Sequence, residues 1–427
     1  MEFMAQPCVL LKHGELAIKG RNRNIFERQL LRNLKHAVAE VDPNARIERR
    51  SGVAVVTASG PQQPLVDRLR EVIGISVVQP GYRVPKNPEQ AARMVVQMLR
   101  ERYGGEAAKK FAIKARRRDK AFQMSSSQLA GFIGQRVCDE LNWPVDLSNP
   151  EVEVFVEVDW REIFISVEHL RGQGGLPVGS SGRALALLSG GYDSPVAAYR
   201  MMKRGLRCDF VHFTGAPFTG PSSTYKAYAL VRRLNQFQGN SKLHVVPVGK
   251  AQRALATAGA GELQIVAQRR LFVRIADVLA QQLNAQALIT GDSLGQVSSQ
   301  TLSNMATTEQ ASSLPLLRPL VGWDKTEIMN EARRIGTYDI SKLPDEDCCS
   351  LIMPPQVATR STVGQLSKVE GRVGVDSLVE QVLANVQVID LGSSEQPVAT
   401  CEVDSGSEPE PAAAGARAAG IQGAGLS

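Results

Sequence analysis

The feature that most constrains the fold is an alternation of continuous apolar segments with helical segments in the second half of the chain. Each apolar segment is four to six residues long, and helical stretches of ten or more residues separate them. Continuous apolar strands between helices are typical of a parallel sheet that helices cover on both faces. The sequence therefore predicts a doubly wound α/β domain with strands at residues 184–188, 210–213, 243–248 and 287–290.

A loop rich in glycine and serine follows the first of these strands. Residues 189–194, Ser-Gly-Gly-Tyr-Asp-Ser, connect the strand to a helix that begins near Pro195, and we call them the phosphate loop. The two glycines let the backbone approach an anion, the hydroxyls are donors, and the helix N-terminus adds partial positive charge. Because ligands bind at the carboxyl ends of the strands in an open α/β sheet, we expect a polyphosphate here.

The phosphate loop differs from the two most common nucleotide-binding patterns. It is not GxxxxGK[ST], it contains no lysine to steady a γ-phosphate, and GxGxxG is absent. Taken alone, the loop is also compatible with an ordinary turn followed by a helix cap. Its position after a buried strand favours the anion site.

The first 170 residues have a different pattern, typical of two small α+β units. The first unit is predicted to contain a strand at 8–11, a helix with its apolar face between residues 26 and 38, and a hairpin at 45–57. The second contains helices at 65–72, 88–103 and 126–141, strands at 75–84 and 111–116, and a hairpin at 152–167. Valines alternate along this last hairpin, which indicates a sheet with one buried face.

These patterns divide the chain into five segments. The glycine-rich stretch is typical of a linker, and the C-terminal stretch of Ala, Gly, Pro, Ser and acidic residues has little to bury. We expect an N-terminal domain at 1–61, a second domain at 62–169, a linker at 170–182, the α/β domain at 183–390 and a disordered tail at 391–427.

Composition and cysteine usage exclude several classes of protein. The hydrophobic fraction of 43% and charged fraction of 22% are ordinary for a globular protein and exclude collagen and wholesale disorder. No apolar run approaches the ~20 residues that a bilayer requires, and the N-terminus lacks the pattern of an export signal, so we expect a cytoplasmic protein without a membrane partner. The six cysteines form no CxxC pair, which favours reduced thiols over disulfides or zinc.

The phosphate loop resembles the SGGxDS loop of PP-loop ATP pyrophosphatases, which cleave ATP between the α- and β-phosphates and adenylylate an acceptor oxygen. Three further segments resemble the tRNA 4-thiouridine synthases, or tRNA sulfurtransferases: KHGELAIKGRNR at 12–23, TGDSLGQVSSQT at 290–301, and EDCC at 346–349 followed by Pro354-Pro355. The match covers roughly residues 8–390 in the family's order. It implies an α/β and α+β multidomain fold: a ferredoxin-like unit, a tRNA-binding THUMP domain and a PP-loop domain that thiolates uridine 8.

The resemblance also implies a set of ATP-binding residues. Asp193 is expected to orient Mg²⁺ or the departing pyrophosphate, a role suited to carboxylate oxygens. Arg269 offers a cation to the phosphates, although Arg269-Arg270 alone is typical of a solvated helix face and His212 alone of a packed strand residue. The meeting of strand ends at one sheet edge is compatible with this set. By similarity, the expected ATP pocket comprises Leu187, Leu188, Ser189, Gly190, Gly191, Ser194, His212, Phe213, Arg269, Gly291 and Gln300. The implied cofactors are ATP and transient Mg²⁺, without a stable prosthetic group or a resident metal.

Sulfur chemistry is assigned by the resemblance to Cys348, which would carry a persulfide. Its acidic neighbours, residues 345–347, would raise the pKa of a thiol there. Cys349 is the candidate resolving thiol, with Cys208 and Cys401 as alternatives. Some family members add a C-terminal rhodanese domain, for which residues 391–427 are too short and too polar.

The densest basic run lies at residues 114–120, which we call the basic segment. Its cations are suited to tRNA phosphates, although a solvated strand end is the plain alternative. Its position in the THUMP-like region favours contact with the tRNA acceptor end, and recognition by shape would require no base-reading pattern. The predicted tRNA-binding residues are Lys114, Arg116, Arg117, Arg118 and Lys120.

The function implied is an ATP-dependent tRNA uracil 4-sulfurtransferase. Its expected partners are tRNA, a cysteine desulfurase or other persulfide donor, and a second copy in a homodimer, toward which the family tends. The alternatives are a THUMP-type RNA-binding protein or methyltransferase, and a PP-loop ligase for a small molecule. A methyltransferase of the THUMP type predicts an NPPY-like segment, which residues 353–356 do not supply. A small-molecule ligase gives residues 1–170 and Cys348 no function.

Overall fold

The computed structural model describes residues 5–18, 22–50, 52–346 and 352–392. In the N-terminal half, residues 5–171, the strands are β1 (Gln6–Lys12), β2 (Arg46–Arg50), β3 (Val53–Thr57), β4 (Val77–Pro85), β5 (Phe111–Arg117), β6 (Val152–Val158), β7 (Glu162–Ser166) and β8 (Leu170–Arg171). The α-helices are α1 (Arg23–Ala39), α2 (Gln62–Arg70), α3 (Pro88–Tyr103) and α4 (Ser126–Leu141). Capping boxes and Pro at the first turn account for the sharp starts of α4 and α3, respectively.

The two predicted α+β units share one sheet. Its order is β2-β3-β1-β4-β7-β6-β5, with β8 paired to β4, and neighbouring strands are antiparallel except β5 and β6. Helices α1 and α2 pack together on one part of the sheet through Leu30, Leu34 and Leu65. Helices α3 and α4 cover another part through Met94 and Leu129. The domain boundary at residue 61 stays a prediction. It separates α2 from α1, although the two helices share a hydrophobic core.

The C-terminal half, residues 183–392, contains a second sheet. Its strands are β9 (Arg183–Leu187), β10 (Arg207–Thr214), β11 (Lys242–Pro247), β12 (Leu288–Ile289), β13 (Leu316–Leu317) and β14 (Gln387–Asp390). Its α-helices are α5 (Asp193–Met202), α6 (Ser222–Gln238), α7 (Gly249–Thr257), α8 (Gln264–Gln282), α9 (Leu302–Glu309), α10 (Lys325–Arg334), α11 (Tyr338–Lys342), α12 (Val363–Val373) and α13 (Val375–Leu383). Within the described ranges, none of the helices is both long enough and apolar enough to cross a bilayer.

Strand order places the phosphate loop at the centre of this sheet. The order is β13-β12-β9-β10-β11-β14, and the strands are parallel except for β14 at one edge. The sheet is doubly wound, because α5, α6 and α10 contribute to the core on one face and α7, α8, α12 and α13 to the core on the other. The chain leaves β9 toward β10 on one side and later returns to β12 on its other side. The end of β9 is therefore the topological switch point, where such sheets bind ligands.

The glycine-rich segment between the halves is fixed by hydrogen bonds. The Gly74 amide donates to the Gly174 carbonyl at 2.8 Å, and the Leu176 amide donates to the Lys203 carbonyl at 2.9 Å. A Cβ on Gly175 would collide with the carbonyl oxygen of Lys203, so this position, with φ +78°, requires glycine. The segment thus connects the turn before β4 of the first sheet to the residue that follows α5.

Arg270 is buried in the C-terminal half, contrary to the solvated-face alternative for this position. It is 2% exposed, and its guanidinium bonds to the carboxylate of Glu370 on α12 at 2.6 and 3.1 Å. Arg274 donates to the same carboxylate at 2.9 Å. Burial alone would raise the pKa of Glu370, but the hydrogen bonds from the two arginines lower it. The pair ties α8 to α12.

Glu370→Gln should destabilise the fold by about 3 kcal/mol, because it leaves the Arg270 charge buried without a counterion. Because the pKa of Glu370 is lowered in the folded state, the stabilisation is present above its unfolded value and is lost as the pH falls through the folded value. Urea unfolding at several pH values measures both effects. Glu380→Gln, at an exposed position on α13, is the matched control. If the free energies of unfolding of the wild type and Glu370→Gln differ by less than about 1 kcal/mol near neutral pH, the ion pair between Arg270 and Glu370 is dispensable.

Candidate active site

The phosphate loop is held in shape by its own two serines. The Ser194 hydroxyl accepts a hydrogen bond from the Ser189 amide at 2.9 Å and donates to the Ser189 carbonyl at 3.2 Å. The Ser189 hydroxyl accepts from the Gly191 amide at 3.3 Å. Tyr192 occupies the N-cap position of α5, and within the described residues its side chain makes no capping hydrogen bond to the helix. Its first amides can therefore serve an anion, as the sequence predicts.

Two predicted glycines lie where neighbouring segments closely approach the phosphate loop. A Cβ on Gly291 would lie 2.7 Å from the Ser194 amide nitrogen and 2.8 Å from the Asp193 carbonyl carbon. The chain after β12 thus lies directly against the backbone that begins α5. A Cβ on Gly190 would collide with Asp345 Oδ2 and lie 3.1 Å from Lys226 Cδ. Glycine at these positions lets neighbouring segments approach the phosphate loop.

Asp193 lies in the first turn of α5 between two polar side chains. Its Oδ2 accepts a hydrogen bond from Gln296 Nε2 at 3.0 Å, and its Oδ1 lies 3.5 Å from Lys325 Nζ. The same Lys325 ammonium lies 5.2 Å from the centre of the Tyr192 ring, which stacks on Tyr338. The Asp193 carboxylate at the start of α5 is thus paired with a cation and with an amide of the 290–301 segment.

Arg269 is organised by a buried carboxylate, Asp292. The Arg269 guanidinium pairs with Asp292 and donates to Ser299 Oγ at 3.3 Å. Asp292 also accepts hydrogen bonds from Arg318 Nε at 3.2 Å and Thr290 Oγ1 at 2.9 Å, and the Gln300 amide lies 3.5 Å from it. Burial alone would raise the pKa of Asp292, but Arg269, Thr290 and Arg318 lower it. The carboxylate thus remains ionised and fixes two guanidinium groups.

The ends of β9 and β10 form the apolar floor beside the loop. The His212 Nδ1 lies 2.9 Å from the Leu188 carbonyl oxygen, and the Leu188 amide donates to the Val211 carbonyl at 2.8 Å. Phe213 stacks on Phe272 of α8 with ring centres 4.4 Å apart. Leu187 is half-buried, whereas Leu188 is buried. The structure thus brings these predicted residues to the same sheet edge as the phosphate loop.

The predicted sulfur-carrying residues, Cys348 and Cys349, lie outside the described residues, as does Cys401. The chain before them is anchored, because the Gly220 amide donates to Glu346 Oε2 at 2.7 Å. The alternative resolving thiol, Cys208, is fully buried in β10, and burial raises its pKa. The suggestion that Cys208 resolves the reaction is therefore wrong for this fold, since an inaccessible thiol cannot attack.

The residues of the basic segment lie on two faces of β5. Lys114 and Arg116 are exposed, as is Lys120 beyond the strand. Arg117 points the other way and donates to the Met124 carbonyl at 2.9 Å. Arg118 is half-buried, with Nε 3.8 Å from Glu157 Oε2. The period of two along a strand produces this division and leaves three of the five predicted cations at the surface.

The basic segment meets the 12–23 segment at Glu157. The Lys12 ammonium pairs with the same Glu157 carboxylate that Arg118 approaches. Lys12 lies at the end of β1, and Glu157 lies on β6, so this contact joins the two parts of the N-terminal sheet. It places Lys12, the first residue of the 12–23 segment, next to Arg118 of the basic segment.

Several charged residues near the phosphate loop, among them Asp292, Lys226, Lys325 and Asp345, are not among the predicted site residues. Asp292 lies within the 290–301 segment, and its position after a strand end, like that of Asp193, is the signal that could identify it. Lys226 and Lys325 lie on α6 and α10, and no local pattern links them to the loop. Within the part of the chain that the structure describes, no three His, Cys, Asp or Glu side chains form a group that could hold a metal ion.

Family models match the chain in three places. The model described as Thiamine biosynthesis protein (ThiI) matches residues 179–375, the ThiI ferredoxin-like domain matches residues 8–78, and the THUMP domain matches residues 85–168. The order of these matches confirms the predicted fold class.

Relatives and a solved structure match nearly the whole described chain. A probable tRNA sulfurtransferase of Nocardia farcinica is 59% identical over 390 residues, which cover 90% of this chain and 94% of the relative. One of Geobacillus sp. is 38% identical, covering 89% and 95%. A crystal structure of a 4-thiouridine synthetase–RNA complex with bound ATP has a TM-score of 0.82 and 30% identity, and covers 90% of this chain and 99% of that one. The chain therefore belongs to the tRNA sulfurtransferase (ThiI) family.

Proposed function

We infer that the chain is an ATP-dependent tRNA sulfurtransferase that converts uridine 8 of tRNA to 4-thiouridine. The observation that carries this inference is the phosphate loop at the switch point of a chain that is similar, over 90% of its length, to a 4-thiouridine synthetase solved with RNA and ATP. ATP is the nucleotide that fits the loop, and tRNA is the acceptor.

The first step activates the base. The O4 oxygen of uridine 8 attacks the α-phosphorus of ATP, pyrophosphate leaves, and the base becomes O-adenylylated. The amides at the start of α5 and the cations near it stabilise the charge that develops on the phosphates. Asp193, in the first turn of α5, would hold the Mg²⁺ that accompanies ATP, and that ion would offset the charge of the phosphates. Arg269, on α8, is held by Asp292 after β12 and offers a fixed cation there.

The second step delivers sulfur. The terminal sulfur of a persulfide on Cys348 adds to C4 of the adenylylated base and expels AMP, which leaves the base joined to Cys348 through two sulfurs. A resolving thiolate, for which Cys349 is the candidate, then attacks the Cys348 sulfur, forms a disulfide and releases 4-thiouridine. A dithiol reductant restores the two thiols, and a cysteine desulfurase or another persulfide donor recharges Cys348.

RNA binding is proposed for the exposed residues of the basic segment, Lys114, Arg116 and Lys120. Their ammonium and guanidinium groups can neutralise tRNA phosphates with release of counterions. Uridine 8 must leave the folded core of tRNA to reach the phosphate loop, a rearrangement comparable to base flipping. We propose a homodimer as the acting form, which sedimentation of the purified protein measures directly.

Asp193→Ala should abolish adenylylation, with a loss of about 10²-fold or more in AMP formation, because it removes the carboxylate that would hold Mg²⁺ on the reacting phosphates. The measurement is release of AMP and pyrophosphate from ATP with unmodified tRNA and a persulfide donor. Glu380→Gln, on the exposed face of α13, is the control. Formation of ADP, or turnover that does not need tRNA, would instead support a different ATP-using enzyme.

Cys348→Ser should leave adenylylation of the tRNA, with its release of pyrophosphate, intact and stop the appearance of 4-thiouridine, because it removes the sulfur carrier but not the phosphate site. The two products are measured in the same reaction, and Cys138→Ser on α4 is the matched control. Loss of both activities would contradict the division of roles. Full turnover of Cys349→Ser would remove Cys349 as the resolving thiol.

Lys114→Gln combined with Arg116→Gln should weaken tRNA binding and reduce the salt dependence of log Kd by about one to two, because each residue accounts for about one phosphate contact. Binding is measured by titration at several salt concentrations. Lys242→Gln combined with Lys368→Gln removes the same charge from the C-terminal half. Equal losses in the two double variants would indicate a general charge effect instead of a local tRNA site.

A further inference from the structure

A lysine from a distant part of the chain is buried against the phosphate loop. Lys226, on α6, is only 7% exposed, and lysine is almost never buried unless it is paired. Its ammonium donates to the Leu343 carbonyl at 2.6 Å and lies 3.1 Å from Asp345 Oδ1. The phosphate loop itself contains no lysine, so Lys226 supplies a charge that the local sequence lacks.

Both members of this ion pair lie over Gly190 of the loop. The position that a Cβ would take on Gly190 is filled by the Asp345 carboxylate and lies 3.1 Å from Lys226 Cδ. A carboxylate oxygen is therefore packed on the backbone of a loop whose glycines and helix start are suited to anions. Around the same segment, the Ser341 hydroxyl donates to the Gly191 carbonyl at 3.2 Å.

We propose that Lys226 is a phosphate ligand that exchanges the Asp345 carboxylate for an oxygen of the pyrophosphate portion of ATP. The inference rests on the proposed function, because it assumes that the phosphate loop binds ATP. An ammonium group has three donors, so Lys226 can keep its bond to the Leu343 carbonyl while it exchanges the other partner. No covalent bond to Lys226 forms or breaks. Its charge offsets the charge that accumulates on pyrophosphate as the α-phosphorus is transferred.

Asp345 has a defined part in this exchange. In its pair with Lys226, it keeps the ammonium placed beside Gly190. Because it competes with phosphate for the same cation, it should weaken the binding of the product pyrophosphate and favour product release. The competing explanation is purely structural: Lys226 would only balance the charge of Asp345 and hold residues 343–346 against the loop.

Pyrophosphate affinity separates the two explanations. Titration calorimetry with pyrophosphate and Mg²⁺ is performed on the wild type, Lys226→Met, Asp345→Asn and the double variant. Lys226→Met should bind pyrophosphate about ten- to hundredfold more weakly than the wild type, because it loses a charged hydrogen bond. The double variant should bind pyrophosphate as weakly as Lys226→Met does. Asp345→Asn, freed of the competitor, should bind about two- to tenfold more tightly. Lys226→Arg should retain part of the affinity, and Lys368→Met on α12 is the matched control.

Recovery of wild-type affinity in the double variant would show that Lys226 only balances Asp345, and would overturn the proposal. Equal pyrophosphate affinities of the wild type and Lys226→Met would also overturn the proposal, but they would leave the proposed function intact. A wild type that binds neither ATP nor pyrophosphate would contradict the proposed function itself. Melting temperatures report folding of each variant. If Lys226→Met does not fold, the affinity of Asp345→Asn for pyrophosphate tests the proposal by itself. Unchanged or weaker binding by Asp345→Asn would overturn the proposed exchange.

Discussion

Close backbone packing between Gly291 and the start of α5 is the constraint on which the site depends. The absence of a side chain at Gly291 lets the chain leaving β12 lie against Asp193 and Ser194. That contact brings Asp292, the next residue, and with it Arg269 and Arg318, to the phosphate loop at the end of β9. One glycine thus joins two neighbouring strand ends into a single polar site.

The N-terminal half is attached to this site through fixed contacts. The glycine-rich segment bonds to Gly74 at one end and to the carbonyl of Lys203, at the end of α5, at the other. Arg204 and Glu15 form an additional ion pair between the halves, at 2.9 Å. Since α5 begins at the phosphate loop and ends at this junction, the same helix contacts both the phosphate loop and the segment that leads to the N-terminal half.

Local patterns in the sequence predict much of this arrangement. Apolar segments predict β9, β10 and β11, and the Ser-Gly-Gly-Tyr-Asp-Ser loop predicts the anion site, because both signals lie within a few consecutive residues. Strand alternation also explains why some cations of the basic segment are exposed and others are not. Predicting which ones are exposed requires knowing which face of β5 is buried. Lys226 and Asp345 could not be predicted, since their meeting over Gly190 depends on how α6 packs against α5 and β10. The sharing of one sheet by the two N-terminal units likewise depends on β4 pairing with both β1 and β7.

The central claim is that the base oxygen attacks the innermost phosphorus of an ATP held at the phosphate loop. Transfer of an oxygen isotope tests it most directly. Unmodified tRNA labelled with ¹⁸O at O4 of uridine 8 is incubated with ATP, a persulfide donor and the enzyme, and the products are analysed by mass spectrometry. The mechanism predicts that the label appears in the phosphate of AMP, in amounts equal to the 4-thiouridine formed. Unlabelled AMP, or label in inorganic phosphate or water, would contradict it.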